Sequence, residues 1–166
     1  ETLKELSKRK ANIEKENIPN DGKDQNINLT ILNETAKAAK MGRNSIDYLS
    51  EKISNPDLKK ELSEQYADYG QVIERVNKQF QNYGEIPDDA PAMGKMMSYM
   101  GIQMNTMMDQ SESHIADLLI QGNYMGIIEC QKLLNHNPYA KEEVKQILTD
   151  FQNMQEANIQ TMKEYL

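Results

Sequence analysis

Apolar residues recur along most of this chain in steps of three and four, the spacing of one face of an α-helix. From about Asn28 to Ile53 one face carries Leu32, Ala36, Ala39, Ile46, Leu49 and Ile53. That run stops at SNPD, where Asn55 is suited to cap a new helix and Pro56 to occupy its first position, where a missing N–H costs nothing. A second stripe follows through Leu58, Leu62, Tyr66, Tyr69, Ile73, Val76, Phe80 and Tyr83, and Gly84 ends it. Ile115 to Leu134 is different, because wound as a helix it presents apolar side chains in nearly every direction, including Tyr124 and Ile128. A helix of that kind is a buried one with partners on several sides. Asp117, Glu129 and Lys132 keep it from reading as a membrane span, which needs about 18 apolar residues with few charges. The sequence NHNPYAKEE then repeats the earlier punctuation, predicting Asn137 as cap and Pro138 as first residue of a last helix through Val144, Ile147, Leu148, Phe151, Met154, Met162 and Tyr165.

Two helix–Asn-Pro–helix hairpins result. Sliding one on the other by 82 residues sets Pro56 on Pro138, Leu62 on Val144, Tyr66 on Leu148 and Tyr69 on Phe151. Two such hairpins joined by a long connection are one way to build an all-α four-helix bundle. The connection, residues 84–111, starts with EIPDDAP, in which Pro91 suits a helix start, and runs into MGKMMSYMGIQMNTMMDQ. This stretch holds seven of the chain's 11 methionines. On a helix, Met93, Met96, Met97, Met100, Met104, Met107 and Met108 share an arc of roughly 120°. Residues 1–27 predict a short, weakly attached helix and a linker, IPNDGKDQN, leaving 28–166 as the bundle.

The chain has 166 residues, enough for one domain that folds without disulfide or metal. A net charge of −7, with 19 Lys and Arg scattered along the chain, argues against nucleic acid, which calls for a basic stripe. Cys130 has no partner for an intramolecular disulfide and falls within the buried helix, where a thiol is a small hydrophobe. A reducing, cytoplasmic setting is expected, with no membrane association.

The segments LNETAKAAKMGRNSIDYL, MGKMMSYMGIQMNTMMD and SHIADLLIQGNYMGI resemble the ferritin-like superfamily, and more narrowly a clostridial and related Gram-positive group of unknown role. More distantly the chain resembles helical coat proteins of bacterial spores. The resemblance covers about Leu29 to Leu166 and implies an up-down-down-up bundle of two hairpins with a long helical crossover. Metal-binding members place a Glu on each of two helices and an E-x-x-H pair on each of the others, so that carboxylates and imidazoles converge on a di-iron site. Here the residues three before His114 and His136 are Ser111 and Leu133, so the chain has no E-x-x-H. By the same resemblance Asn44, Asn123 and Asn158 fall near positions where liganding members carry Glu or His. Neutral amides are poor iron ligands.

The remaining candidates each carry a structural and a chemical reading. A face of thioethers near His114 suits Cu(I), yet methionine also fills irregular core gaps and forms adaptable protein contacts. His114 is a potential ligand or base, or a hydrogen-bonded helix-edge residue. Asp47, Glu64, Asp68 and Glu129 predict solvated faces more than a buried acid pair. Gly42, Gly101, Gly122 and Gly126 interrupt helices at about 1 kcal/mol each against Ala, which points to close approach. No phosphate loop, zinc spacing or nucleophile with a base is present. The reading is a non-catalytic bundle without cofactor, working as a homo-oligomer or with a protein partner through Met97, Met100, Met104, Met107, Met108 and His114. The alternatives are an iron- or Cu(I)-binding stress protein and a spore-associated structural protein.

Overall fold

The hairpin punctuation sets the architecture. In a computed structural model that describes residues 2–16, 21–87, 100–101 and 103–166, with side chains for 2–9 and from 27 onward, every regular element is helical. These are α1 (Leu3–Glu16), α2 (Asp21–Ser50), α3 (Pro56–Asn82), α4 (Glu112–His136) and α5 (Glu142–Met162), closed by a 3₁₀ turn (Lys163–Tyr165). No helix among the described residues is long and apolar enough to cross a membrane.

α3 starts as its sequence dictates. Asn55 Oδ1 accepts the amides of Asp57 at 2.9 Å and Leu58 at 3.3 Å, with Pro56 in the first turn. It stops at Gly84, whose φ of +67° is a left-handed conformation that suits glycine. There the Glu85 amide returns to the Phe80 carbonyl and the Gly84 amide to that of Gln81, satisfying carbonyls the helix leaves open.

α2 packs on α3 and α4 on α5, while α2 lies beside α4 and α3 beside α5. Two hydrogen bonds fix the directions. Asn55, in the α2–α3 turn, donates to Glu112 at the start of α4 (3.2 Å), so α4 begins at the end where α3 begins. At the other end Lys141, entering α5, donates its amide to Asn28 near the start of α2 (2.9 Å). This is the up-down-down-up ferritin-like bundle, with the crossover returning the chain between hairpins. Leu32, Leu49, Leu62, Phe80, Leu148 and Phe151 are its fully buried centre, each worth about 1.5–3 kcal/mol of transfer free energy.

Four expectations are corrected. α2 begins at Asp21 rather than Asn28 and ends at Ser50 rather than Ile53, so part of the expected linker is helix. The partly buried Ile27 and the Asn28–Lys141 bond hold the chain to the bundle where local composition favours a turn. α5 begins at Glu142, not Pro138, because Ala140 is drawn into the core and Asn137 closes α4 by donating to the Leu133 carbonyl at 2.9 Å. α4 is not covered all round: Tyr124 and Ile128 are 45% and 53% exposed, since α2 and α5 take its other sides. Tyr66, paired in the repeat with the buried Leu148, is 42% exposed beneath the Arg43 guanidinium.

Candidate functional site

Polar side chains from three helices meet at the centre of the bundle. Tyr69 of α3 lies against Gly42 of α2, where a Cβ would stand 2.5 Å from Tyr69 Cε1 and 2.7 Å from Cζ, so a hydrogen at residue 42 is what admits the ring. The ring meets Phe151 edge-on, centroids 5.9 Å apart at 81°. Tyr69 and Phe151 are the two positions the hairpin repeat equates, and they touch across the core. Beyond them the Tyr69 hydroxyl donates to Asn123 Oδ1 at 3.0 Å. Asn158 Nδ2 of α5 donates to the same oxygen at 3.4 Å, and Asn123 Nδ2 donates to the Leu119 carbonyl at 2.7 Å. The three residues are buried, and the network gives these polar groups the partners that burial demands.

One turn further along α4 the construction repeats. A Cβ on Gly126 would overlap Gln155 Oε1, so glycine again makes room for a side chain from the facing helix. Gln155 Nε2 donates to the Phe151 carbonyl at 3.2 Å and lies 3.9 Å from Cys130 Sγ. Burial pushes the Cys130 thiol from the ordinary 9.0 up to about 12, against a smaller opposing effect of Gln155. Burial likewise raises Tyr69 well above the usual phenol range, against the hydrogen bond from Asn158. Both are neutral at physiological pH, and a protonated buried thiol is a poor nucleophile.

Between α2 and α4 lies a small hollow of about 30 Å³, lined in part by Gly42, Ser45, Tyr69, Met100, Gly122 and Asn123. A larger open groove, about 400 Å³, lies between the end of α2 and the start of α3, over Ile46 and Leu62 and rimmed by Asp47, Glu51, Lys59 and Tyr66.

The residues singled out in the sequence fall in different places. Met97, with Met93 and Met96, lies outside the described residues. Met100 is 4% exposed, and its terminal methyl sits against Gly122, 3.3 Å from where a Cβ would be. Met104 and Met107 are partly buried against the core, and Met108 is 96% exposed. His114 is half-buried in the first turn of α4, its amide donated to the capping Ser111 hydroxyl at 3.2 Å. Asp47, Glu64 and Glu129 are exposed and Asp68 is half-buried. Asn123 and Asn158 converge, whereas Asn44 faces solvent. Tyr69 enters the sequence pattern as one member of a stripe and as the repeat partner of Phe151, with no polar role, and Gln155 not at all. The available signal for both was the glycine opposite, unusual inside a helix.

A di-iron centre needs converging carboxylates and imidazoles. The groups converging here are a phenol and two carboxamides, all neutral and hydrogen-bonded to one another. Among the described residues, no three His, Cys, Asp or Glu stand close enough to share an ion. The residues present do not fit such a centre.

A family profile, a domain of unknown function (DUF2383), matches residues 28–137. No curated protein sequence matches the chain. Among solved structures, the fold is similar to a protein of Xanthomonas campestris pv. campestris at 14% identity, covering 86% of this chain and 89% of that one with a TM-score of 0.65. It is also similar to YcfI of Rhodopseudomonas palustris, whose description proposes a structural protein, at 15% identity, 84% and 92% coverage and a TM-score of 0.66. A third is the dodecameric thioferritin of Bacteroides fragilis, a bacterioferritin-related protein, at 10% identity, 85% and 84% coverage and a TM-score of 0.67.

Proposed function

We propose a function on the premise that this chain belongs to the DUF2383 family of domains of unknown function: it is a non-catalytic ferritin-like bundle that works by association, with copies of itself or with a protein partner. The observation that carries the reading is the Tyr69–Asn123–Asn158 network, which sets neutral groups, hydrogen-bonded to one another, at the bundle centre and leaves the outer surface as the working part. The likeness to a dodecameric bundle and to a protein described as structural supports the same direction. The crossover supplies contact surface where its side chains stand out, at Met108 and Ile86, which are 96% and 88% exposed. An exposed methionine is an adaptable contact, able to repack against more than one surface.

Light scattering coupled to gel filtration tests this directly. The wild-type chain is expected to run as an oligomer, and Met108→Glu as a smaller species with an unchanged helical spectrum. Met108 is the residue to change, because Met104 and Met107 pack on the core and a charge there would act on folding as well. A wild-type protein that is monomeric throughout the micromolar range would overturn self-association. A partner would then be sought by crosslinking in the source cell, with Met108→Glu as the control.

A further inference from the structure

The glycines that admit Tyr69 and Met100 do not let the bundle close completely. The hollow they leave between α2 and α4, about 30 Å³ open to a water-sized sphere, exceeds the roughly 10–15 Å³ that a single water molecule needs. Three polar groups border it, each with hydrogen-bonding capacity beyond what its protein partner uses. Asn123 gives one amide hydrogen to the Leu119 carbonyl and has a second. Ser45 gives its hydroxyl hydrogen to the Met41 carbonyl at 2.9 Å and keeps acceptor lone pairs. Tyr69 gives its proton to Asn123, and its oxygen has a lone pair to offer besides the one facing Asn158.

We infer that this hollow is a built site for a single water molecule, accepting from the Asn123 amide and donating to Ser45 Oγ and Tyr69 Oη. That makes three hydrogen bonds, the usual number for a buried water. The placement gives the water a purpose. The network joins α3, α4 and α5, and Ser45 lies on α2, so the water ties the fourth helix to the other three. Met100, buried over Gly122, lines the hollow on the crossover side. The bordering polar groups are all neutral, so a neutral occupant is favoured, since an ion would leave bulk water for a site without a countercharge. The opposing consideration is that Met41 and Met100 also line the hollow, and thioethers are soft donors suited to Cu(I).

Water–protein cross-relaxation NMR on the full chain decides the matter, with the Asn123 side-chain amide protons as reporters. In the wild type these protons are expected to show a cross-peak to water with the sign of a long-lived, buried molecule. In Ser45→Ala, which removes one acceptor and little volume, the cross-peak falls several-fold while the remaining spectrum is retained. One equivalent of Cu(I) or iron(II) leaves the wild-type cross-peak in place. A wild type without the long-lived water signal overturns the inference, as does a Ser45→Ala signal of undiminished strength. Loss of the signal on adding Cu(I), with a shift of the Met100 methyl, assigns the site to the metal instead.

Discussion

Glycine acts in opposite ways at two positions of this bundle, and the difference is measurable. Gly126 faces Gln155, and a methyl group there would overlap the buried amide, whereas a methyl at Gly70 meets nothing within 4 Å among the described residues. Gly126→Ala is therefore expected to destabilise by about 1–3 kcal/mol through overpacking. Gly70→Ala should stabilise by about 0.5–1 kcal/mol, because alanine has the higher helix propensity and the freer glycine chain is lost from the unfolded state. Urea midpoints of the two variants should move in opposite directions, and a shared sign would refute the cradle at Gly126. Cys130 and Tyr69 make a second residue-scale prediction. Both are acids whose folded values lie above their unfolded ones, so on raising the pH the unfolded chain releases these protons first. Their contribution is complete below about pH 9 and is lost as the pH rises toward 12, the Cys130 part first and the Tyr69 part from about pH 10. Urea titrations at stepped pH should show that decline, and Cys130→Ala should remove its onset. An unchanged onset in that variant would assign the loss to other groups. The glycines' role in close approach was legible in the sequence at Gly42, Gly122 and Gly126. At Gly101 it was not, for among the described residues no side chain comes within 4 Å of its Cβ position.

At the scale of elements, each long helix after α1 was legible from its stripe, and the boundaries only where local chemistry made them. Asn55 caps α3 with its own side chain, so Asn-Pro marked that start correctly. The second Asn-Pro misled because α5 is not started locally. Its capping position, Lys141, makes no side-chain cap, and the Lys141 amide is instead accepted by Asn28, 113 residues earlier in the chain. No window of sequence around Pro138 contains that partner. The consequence is that Asn28→Ala, distant in sequence from α5, should behave like a capping mutation of it and cost about 0.5–2 kcal/mol. Hydrogen exchange localises the effect: the first turn of α5 should lose protection more than the middle of α2. Equal loss along α2 alone would mean that Asn28 serves only its own helix. The central network escaped sequence reasoning for the same physical reason. Asn123 and Asn158 are 35 residues apart and Tyr69 is 54 from Asn123, so their convergence is a property of the packed bundle.

At the scale of the whole molecule, the two hairpins are docked by hydrogen bonds at three levels: Asn55 to Glu112 at one end, Tyr69 to Asn123 in the middle, and Lys141 to Asn28 at the other. None of these joins needs a metal, and the apolar core between them is continuous from Ile31 to Met162. Stability should therefore be independent of metal supply. A ligand that binds only the folded state at 100 times its dissociation constant adds about 2.7 kcal/mol. For a chain of this size each kcal/mol moves the melting temperature by about 2–4 °C, so a structural metal would announce itself as a rise of several degrees. Calorimetric melting of protein prepared without chelator, then repeated with EDTA, iron(II) and Cu(I), is expected to give one transition at one temperature in all four conditions. A fall with EDTA would mean that a metal co-purifies and contributes to folding. A rise confined to iron(II) would direct mutagenesis to the half-buried Asp68, and one confined to Cu(I) to Met41 and Met100 beside the central hollow.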